Sequence, residues 1–303
     1  MTGLAADADR LRAERTPYVL ATVVRAERPT SAKAGDRALV LPDGRIEGFV
    51  GGSCAESTVR LQALRLLESG ESTLLRITPE PGPAAGEGMV VVDNPCLSGG
   101  TLEIFLEAVI PPVLVHVFGS GPVARALVEV GSAAGFDMRM HDDAGAPVAA
   151  DTAAVVVASH GRAEEEVLAA ALRTGVPYVG LIASRRRGTA VVAGLDGGSR
   201  VRTPAGLDIG ARTAREIALS VIAEILSVRP RAAPSPQRPA SAGNRAGDAV
   251  ARPGEAADPV CGMAVAVTDS TPSLQHGDRT WYFCGTGCQR AFADDPARYA
   301  GAG

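Results

Sequence analysis

The chain has 303 residues, enough for two ordinary domains and a small third, and a formal net charge of −4 that supplies no electrostatic reason to expect a nucleic-acid partner. No apolar run reaches membrane-spanning length, because residues 104–118 are broken by Glu107 and the Pro111-Pro112 pair, and residues 1–15 lack the apolar centre of a signal peptide. The five cysteines, odd in number and clustered, do not suggest a secreted disulfide framework, so a cytoplasmic protein with thiols or metal ligands is expected.

The N-terminal third is predicted to be β-rich. Residues 18–25 have strand content, and residues 37–42 and 46–50 flank Asp43-Gly44, a hairpin turn dipeptide. Gly51-Gly52-Ser53-Cys54-Ala55-Glu56 then opens a helix with Val59, Leu61, Ala63, Leu64, Leu66 and Leu67 on its apolar face, ended at Gly70. A glycine pair at such a junction leaves amides free to hold an anion, and a helix N-terminus stabilises a thiolate. Cys54 is thus a candidate reactive or ligating thiol; a small residue filling a tight turn is the equally good structural reading. Lys33 is the only lysine among many arginines. Genomic bias explains the arginines, but a compact ammonium is not replaceable by a guanidinium at a tight site. Cys54, Lys33 and Glu56 are therefore the candidates for any chemistry in this domain. Beyond a proline- and glycine-rich loop, a strand over 89–93 ends at Asn94-Pro95-Cys96-Leu97-Ser98-Gly99-Gly100, followed by another strand over 101–110. Cys96 with Gly99-Gly100 repeats the pattern of cysteine beside glycine pair, and the two turns would suit one phosphate-bearing ligand if they converge.

Residues 113–118 are mostly β-branched or aromatic, as in a strand buried on both faces. Gly119-Ser120-Gly121 then permits a tight turn and close approach to a pyrophosphate, Pro122 suits a first helical position, and Ala124 lets the helix pack closely. Gly135 stops that helix. The next strand ends at Asp142 and Asp143, roughly 20 residues past the turn, where a ribose hydroxyl would be accepted. This order predicts a Rossmann-like half, or a doubly wound domain that keeps the turn for packing alone. A strand over 153–159 ends at His160-Gly161, and after a helix over 163–174 a strand over 178–183 is closed by Ser184-Arg185-Arg186-Arg187. Strand carboxyl ends line the crevice of such sheets, which makes His160, Ser184 and Arg185 phosphate candidates. The glycine-dense loop 203–212 offers Asp208 and Arg212 as a second anion site. It precedes a helix with a Thr213/Glu216 capping box and a stripe at Ile217, Val221, Ile225 and Val228.

Residues 229–257 collapse to Pro, Ala, Arg, Gly and Ser, a flexible linker spanning roughly 30 Å as a random coil, enough to let a C-terminal module visit the body. Residues 258–299 form that module. Cys261, Cys284 and Cys288, spaced C-x22-C-x3-C around a hairpin at His276-Gly277-Asp278, indicate a soft-metal site for zinc or copper. Asp258, His276 or an exogenous group is left to complete the ligand set; cysteines filling a reduced mini-domain core are the other reading.

The segments Ser31-Ala32-Lys33-Ala34-Gly35-Asp36, Gly51 to Glu56, Pro95 to Gly100, the Rossmann segment, Tyr178 to Arg187 and Gly206 to Thr213 together resemble the XdhC/CoxI family over residues 15–228. Residues 258–299 resemble a YHS domain. The expected fold is α/β: a β-rich N-terminal domain (1–110), a Rossmann-like doubly wound parallel sheet (111–228), the linker (229–257) and a small cysteine-containing metal-binding domain (258–303). The resemblance implies a maturation factor that turns over no metabolite. Such a factor binds the molybdenum cofactor, as molybdopterin or its dinucleotide, assists its sulfurated form, and hands it to a molybdenum hydroxylase apoenzyme such as xanthine dehydrogenase or carbon monoxide dehydrogenase. A cysteine desulfurase and a second copy of the chain are further candidate partners. Cys54 and Cys96 would then lie near the molybdenum or its sulfido ligand. With a copper-containing partner enzyme, the tethered module would deliver copper. The alternative is an NAD(P)-dependent oxidoreductase; lacking any lysine beyond Lys33, it would rely on His160 for acid-base chemistry.

Overall fold

A computed structural model describes residues 2–79, 88–94, 100–229 and 254–300; Cys96, Gly99 and most of the expected linker lie outside them. The chain divides into two compact units, residues 1–111 together with 232–303, and residues 112–231.

The first unit begins with α1 (Thr2–Ala13), β1 (Tyr18–Ala26), β2 (Arg37–Val40), β3 (Ile46–Gly48), α2 (Ser53–Ser69), β4 (Thr73–Thr78), β5 (Met89–Asp93) and β6 (Leu102–Val109). Its six strands run in the order β3-β2-β1-β6-β4-β5, antiparallel except for β4 with β5. Alternation along β1 sets the layers. Val19, Ala21 and Val23 face Val59, Ala63 and Leu66 of α2, whereas Tyr18 and Leu20 face the opposite side, where Leu4, Ala8 and Leu11 of α1 cover Leu39 and Leu41.

The second unit contains β7 (Leu114–Phe118), α3 (Pro122–Ala133), β8 (Asp137–His141), β9 (Thr152–Val157), α4 (Glu164–Arg173), β10 (Tyr178–Leu181), α5 (Arg185–Val192), β11 (Val201–Arg202) and α6 (Ala214–Val228). The parallel sheet runs β11-β10-β9-β7-β8, so the strand order reverses between β7 and β9. Every residue of β7 is buried. Val115 and Val117 pack under α3 and α6, while Phe118 joins Val155, Val157 and Leu168 on the α4 side. That is the doubly wound architecture expected of an unalternating apolar strand. The arginine triplet, expected to close a strand, instead opens α5, with the Ser184 hydroxyl accepting from the Arg187 amide as its N-cap.

The C-terminal module comprises β12 (Glu255–Ala257), β13 (Ala264–Ala266), β14 (Ser273–His276), β15 (Arg279–Tyr282), α7 (Thr286–Asp294) and α8 (Pro296–Ala300). Pairing of Glu255, Ala256 and Ala257 with β13 puts them in the module and not in the linker to which their composition had assigned them. Phe292 of α7 is fully buried against Trp281, Phe283 and Tyr299, a core just large enough for so short a segment. The module packs along α2. Arg65 makes a two-pronged ion pair with Glu255 at 2.8 and 2.7 Å, and Thr268 lies against the Gly44 turn, 3.0 Å from where a Cβ there would stand.

Candidate cofactor and metal sites

In the first unit the turn into α2 is uncapped. Gly52 is the N-cap in extended backbone with no side-chain cap, and the Glu56 amide donates to the Gly52 carbonyl at 3.0 Å. Gly51 has φ +135, and a Cβ there would lie 3.1 Å from Ala55 Cβ, 3.3 Å from Leu102 Cδ1 and 3.9 Å from Ala32 Cβ. The Ala32-Lys33 loop and the start of β6 therefore meet at this turn. The Lys33 amide donates to Asp36 Oδ2 at 2.7 Å, which leaves its ammonium on the exposed side of the loop. Gly100, two residues before β6, is pressed on the 27–29 segment, where a Cβ would lie 2.4 Å from the Pro29 carbonyl oxygen. Glu56 is half-buried in the first turn of α2, one helical turn from Arg60, whose Nε donates to the Gly44 carbonyl at 2.7 Å.

The cysteines of the C-terminal module come together. Ligand atoms of Asp258, Cys261, Cys284 and Cys288 all lie within 4.8 Å of one another. Sγ–Sγ separations are 3.6 Å for Cys261–Cys284 and 3.7 Å for Cys284–Cys288. A tetrahedral cation with metal–sulfur bonds of about 2.3 Å requires sulfur–sulfur edges of about 3.8 Å, so the thiols fit a soft metal as they stand. Asp258, buried at 1% exposure, serves differently: Oδ1 accepts from the Val260 amide at 2.9 Å and the Cys261 amide at 3.4 Å, and Oδ2 from the Cys284 amide at 2.7 Å. It fixes both cysteine loops, as carboxylates behind metal ligands do. Without a cation the sulfurs cannot all ionise. The hydrogen bond from Cys284 favours a thiolate at Cys261. The Cys284 thiol is pushed strongly up by its bonds to Cys261 and Cys54 and by burial, and burial pushes Cys288 up to about 12. His276 is exposed, edge-on to Phe292.

Cys54 was expected to be a reactive or ligating thiol, near the molybdenum or its sulfido ligand on the family resemblance. It is found half-buried against Met263, Val265 and Cys284 of the C-terminal module, hydrogen-bonded to the Cys284 thiol. Neither this partner nor the role of Asp258 was anticipated. A short Asx-like Asp-Pro-Val-Cys run was the available signal for the latter.

In the second unit the glycine turn sits at the switch point of the sheet. Gly119 has φ +126, and a Cβ would lie 2.4 Å from the Ala158 carbonyl oxygen beyond β9, so only glycine fits. Gly121 is the N-cap of α3 with Pro122 next, again with no side-chain acceptor. Ser120 contributes its carbonyl to Arg125 Nη1 at 2.6 Å. His160, in left-handed backbone with φ +53, brings Nε2 to 2.9 Å from the place of a Gly121 Cβ, so its imidazole stands over the open start of α3. A cleft lined by Phe118, Gly119, His141, Asp142, Ser159 and Arg162 opens beside it, with Asp142 exposed on its rim. The remaining candidates make the following contacts, and Glu164, which pairs with Arg187, also accepts from the Gly161 amide beside His160 at 2.8 Å. Ser184 caps α5, Arg187 pairs with buried Glu164, Arg185 meets Asp208 at 3.6 Å on the exposed surface, and the Arg212 amide donates to Glu216 of the capping box at 2.7 Å.

The model of the XdhC and CoxI family matches residues 11–78, that of the XdhC Rossmann domain residues 115–225, and that of the YHS domain residues 256–303. The uncharacterized protein YqeB of Escherichia coli is 28% identical over 256 residues, 74% of this chain and 46% of that protein. The chain thus spans about half the length of that relative. The molybdenum cofactor insertion chaperone PaoD of E. coli is 27% identical over 265 residues, 70% of this chain and 83% of PaoD. A copper-transporting P-type ATPase of Rhizobium leguminosarum bv. viciae is 42% identical over 55 residues, 18% of this chain and 6% of the ATPase.

Proposed function

We propose that this chain, a member of the XdhC and CoxI family with a YHS domain behind it, is a molybdenum-cofactor insertion factor for a hydroxylase of the xanthine dehydrogenase or carbon monoxide dehydrogenase type. The observation that carries this reading is the uncapped α2 N-terminus with Cys54 at its second position, a place for an anion beside a soft ligand. When bound, the cofactor supplies the molybdenum centre that the recipient enzyme needs. The residues fit such a group. The N-terminal turn of α2 would face its phosphate, the Cys54 sulfur would offer a soft ligand beside it, and the Lys33 ammonium on the neighbouring loop would add positive charge. The Gly119 turn and the start of α3 are a second place for phosphate, as a dinucleotide form of the cofactor requires. The C-terminal cysteines hold a metal, zinc or copper. The recipient apoenzyme is the expected partner, with a cysteine desulfurase upstream.

Purification of the full chain from a cofactor-producing host, followed by fluorometric assay of released pterin, tests the reading. Pterin near one equivalent, falling at least tenfold in Cys54→Ala, is the expected result; no enrichment over a host unable to make the cofactor overturns it. The Gly119 turn with Asp142 on its rim also suits NAD(P), the feature that favours an oxidoreductase. Quenching of NADH fluorescence at micromolar chain, with hydride transfer to a small carbonyl, would select that second reading.

A further inference from the structure

We infer that Cys54, from the N-terminal domain, is the fourth thiolate of the C-terminal metal site, so that a soft cation bound by Cys261, Cys284 and Cys288 clips the C-terminal module onto the start of α2.

Three independent observations converge on that corner. Two edges among the three module thiols, Cys261–Cys284 at 3.6 Å and Cys284–Cys288 at 3.7 Å, already have the length of a tetrahedral site's, and three thiols leave one vertex to fill. Asp258, the other member of the cluster, has both oxygens turned to the amides of Val260, Cys261 and Cys284 and is spent on holding the loops. Cys54 packs against the cluster formed by Cys284, Met263 and Val265.

The approach of Cys54 is built into the packing between α2 and the module. Gly285, beside Cys284, is where Ser53 comes in: a Cβ there would stand 2.9 Å from Ser53 Oγ, so glycine lets α2 reach the sulfurs. Further along α2, the Arg65–Glu255 pair sets the far end, and Thr268 seats on the Gly44 turn. Electrostatics agree. A divalent cation displaces the protons of the four thiols and leaves a centre of charge −2, which the positive N-terminal end of α2 stabilises. On the reading proposed above, the loaded site also withholds Cys54 from the cofactor, a consequence that depends on that reading whereas the ligand set does not.

Cobalt(II) titration of the reduced full chain tests the ligand set without any cofactor. The expected product is one cobalt per chain with tetrahedral d–d bands and thiolate charge-transfer absorbance. Cys54→Ser should shift the d–d bands to higher energy and remove about a quarter of the charge-transfer intensity, one metal–sulfur bond of four. Alkylation of the wild-type chain by iodoacetamide, read by mass spectrometry, needs no variant. One equivalent of zinc should slow modification of Cys54 at least tenfold, in step with Cys261, Cys284 and Cys288. A Cys54→Ser spectrum superimposable on wild type, or a Cys54 alkylation rate unchanged by zinc, overturns the inference. Pterin content, measured separately, decides the cofactor reading, so the two fail independently.

Discussion

At Gly119 the backbone has φ +126 and the Ala158 carbonyl oxygen occupies the space of any Cβ, at 2.4 Å. Gly119→Ala must therefore push the end of β7 away from β9 while adopting a backbone region costly to alanine. A loss of about 2–4 kcal/mol in urea unfolding is expected, against less than about 0.5 kcal/mol for Ser120→Ala next to it. Asp258 predicts a different outcome. Asp258→Ala frees three amides around the cysteine loops and leaves every thiol in place, so zinc affinity should fall about 10–100-fold in competition with a chromophoric chelator while one equivalent still binds. Both residues were partly legible in the sequence, the glycine from its turn motif and the aspartate from its place before Cys261. The partnership of Cys54 was not, because more than 200 residues separate it from the thiols it meets and no local spacing encodes the docking of one domain on another.

Between neighbouring strands β7 and β8, His116 and His141 stack with ring centroids 4.9 Å apart, His141 Nε2 bonded to His116 Nδ1 at 2.9 Å. His116 is buried, its Nε2 has no hydrogen-bond partner among the described residues, and burial, with His141 and Arg139 nearby, lowers its pKa to about 4. His141 is lowered too, mainly by burial. Because the folded values lie below the unfolded value near 6.5, the unfolded chain takes up protons first as pH drops. The second unit should thus hold its full stability above about pH 6.5 and lose it progressively toward pH 4. A melting temperature several degrees lower at pH 5 than at pH 7 is expected, with the fall reduced in His116→Phe; a pH-independent melt of the wild type would refute the assignment. Legibility among the elements followed amphipathic strength. The capping box at Thr213 and Glu216 is present as its spacing indicated, with the Thr213 hydroxyl accepting from the Glu216 amide. By contrast α1 escaped notice because only Leu4, Ala8 and Leu11 form its stripe, and α5 because three consecutive arginines mask a helix capped by Ser184.

For the whole molecule, the division of the chain matters more than its length. Composition suggested a module free to roam on a linker, yet the module and the N-terminal domain form one compact unit, and the parallel sheet forms the other. A ligand that binds only the folded form of one unit stabilises that unit by mass action, by about 2.7 kcal/mol at a hundredfold excess over its dissociation constant. Zinc should therefore raise the unfolding transition of the first unit by about 5–10 °C and leave that of the parallel-sheet unit in place. Hydrogen exchange assigns the transition to its residues. If the cation is held across α2 and the module, amides of residues 53–69 gain protection on zinc addition together with those of residues 255–294, and Cys54→Ser confines the gain to the latter. If the module binds metal by itself, protection in α2 is the same with and without zinc. The two outcomes separate a clip from a tethered carrier within a single measurement on the intact chain.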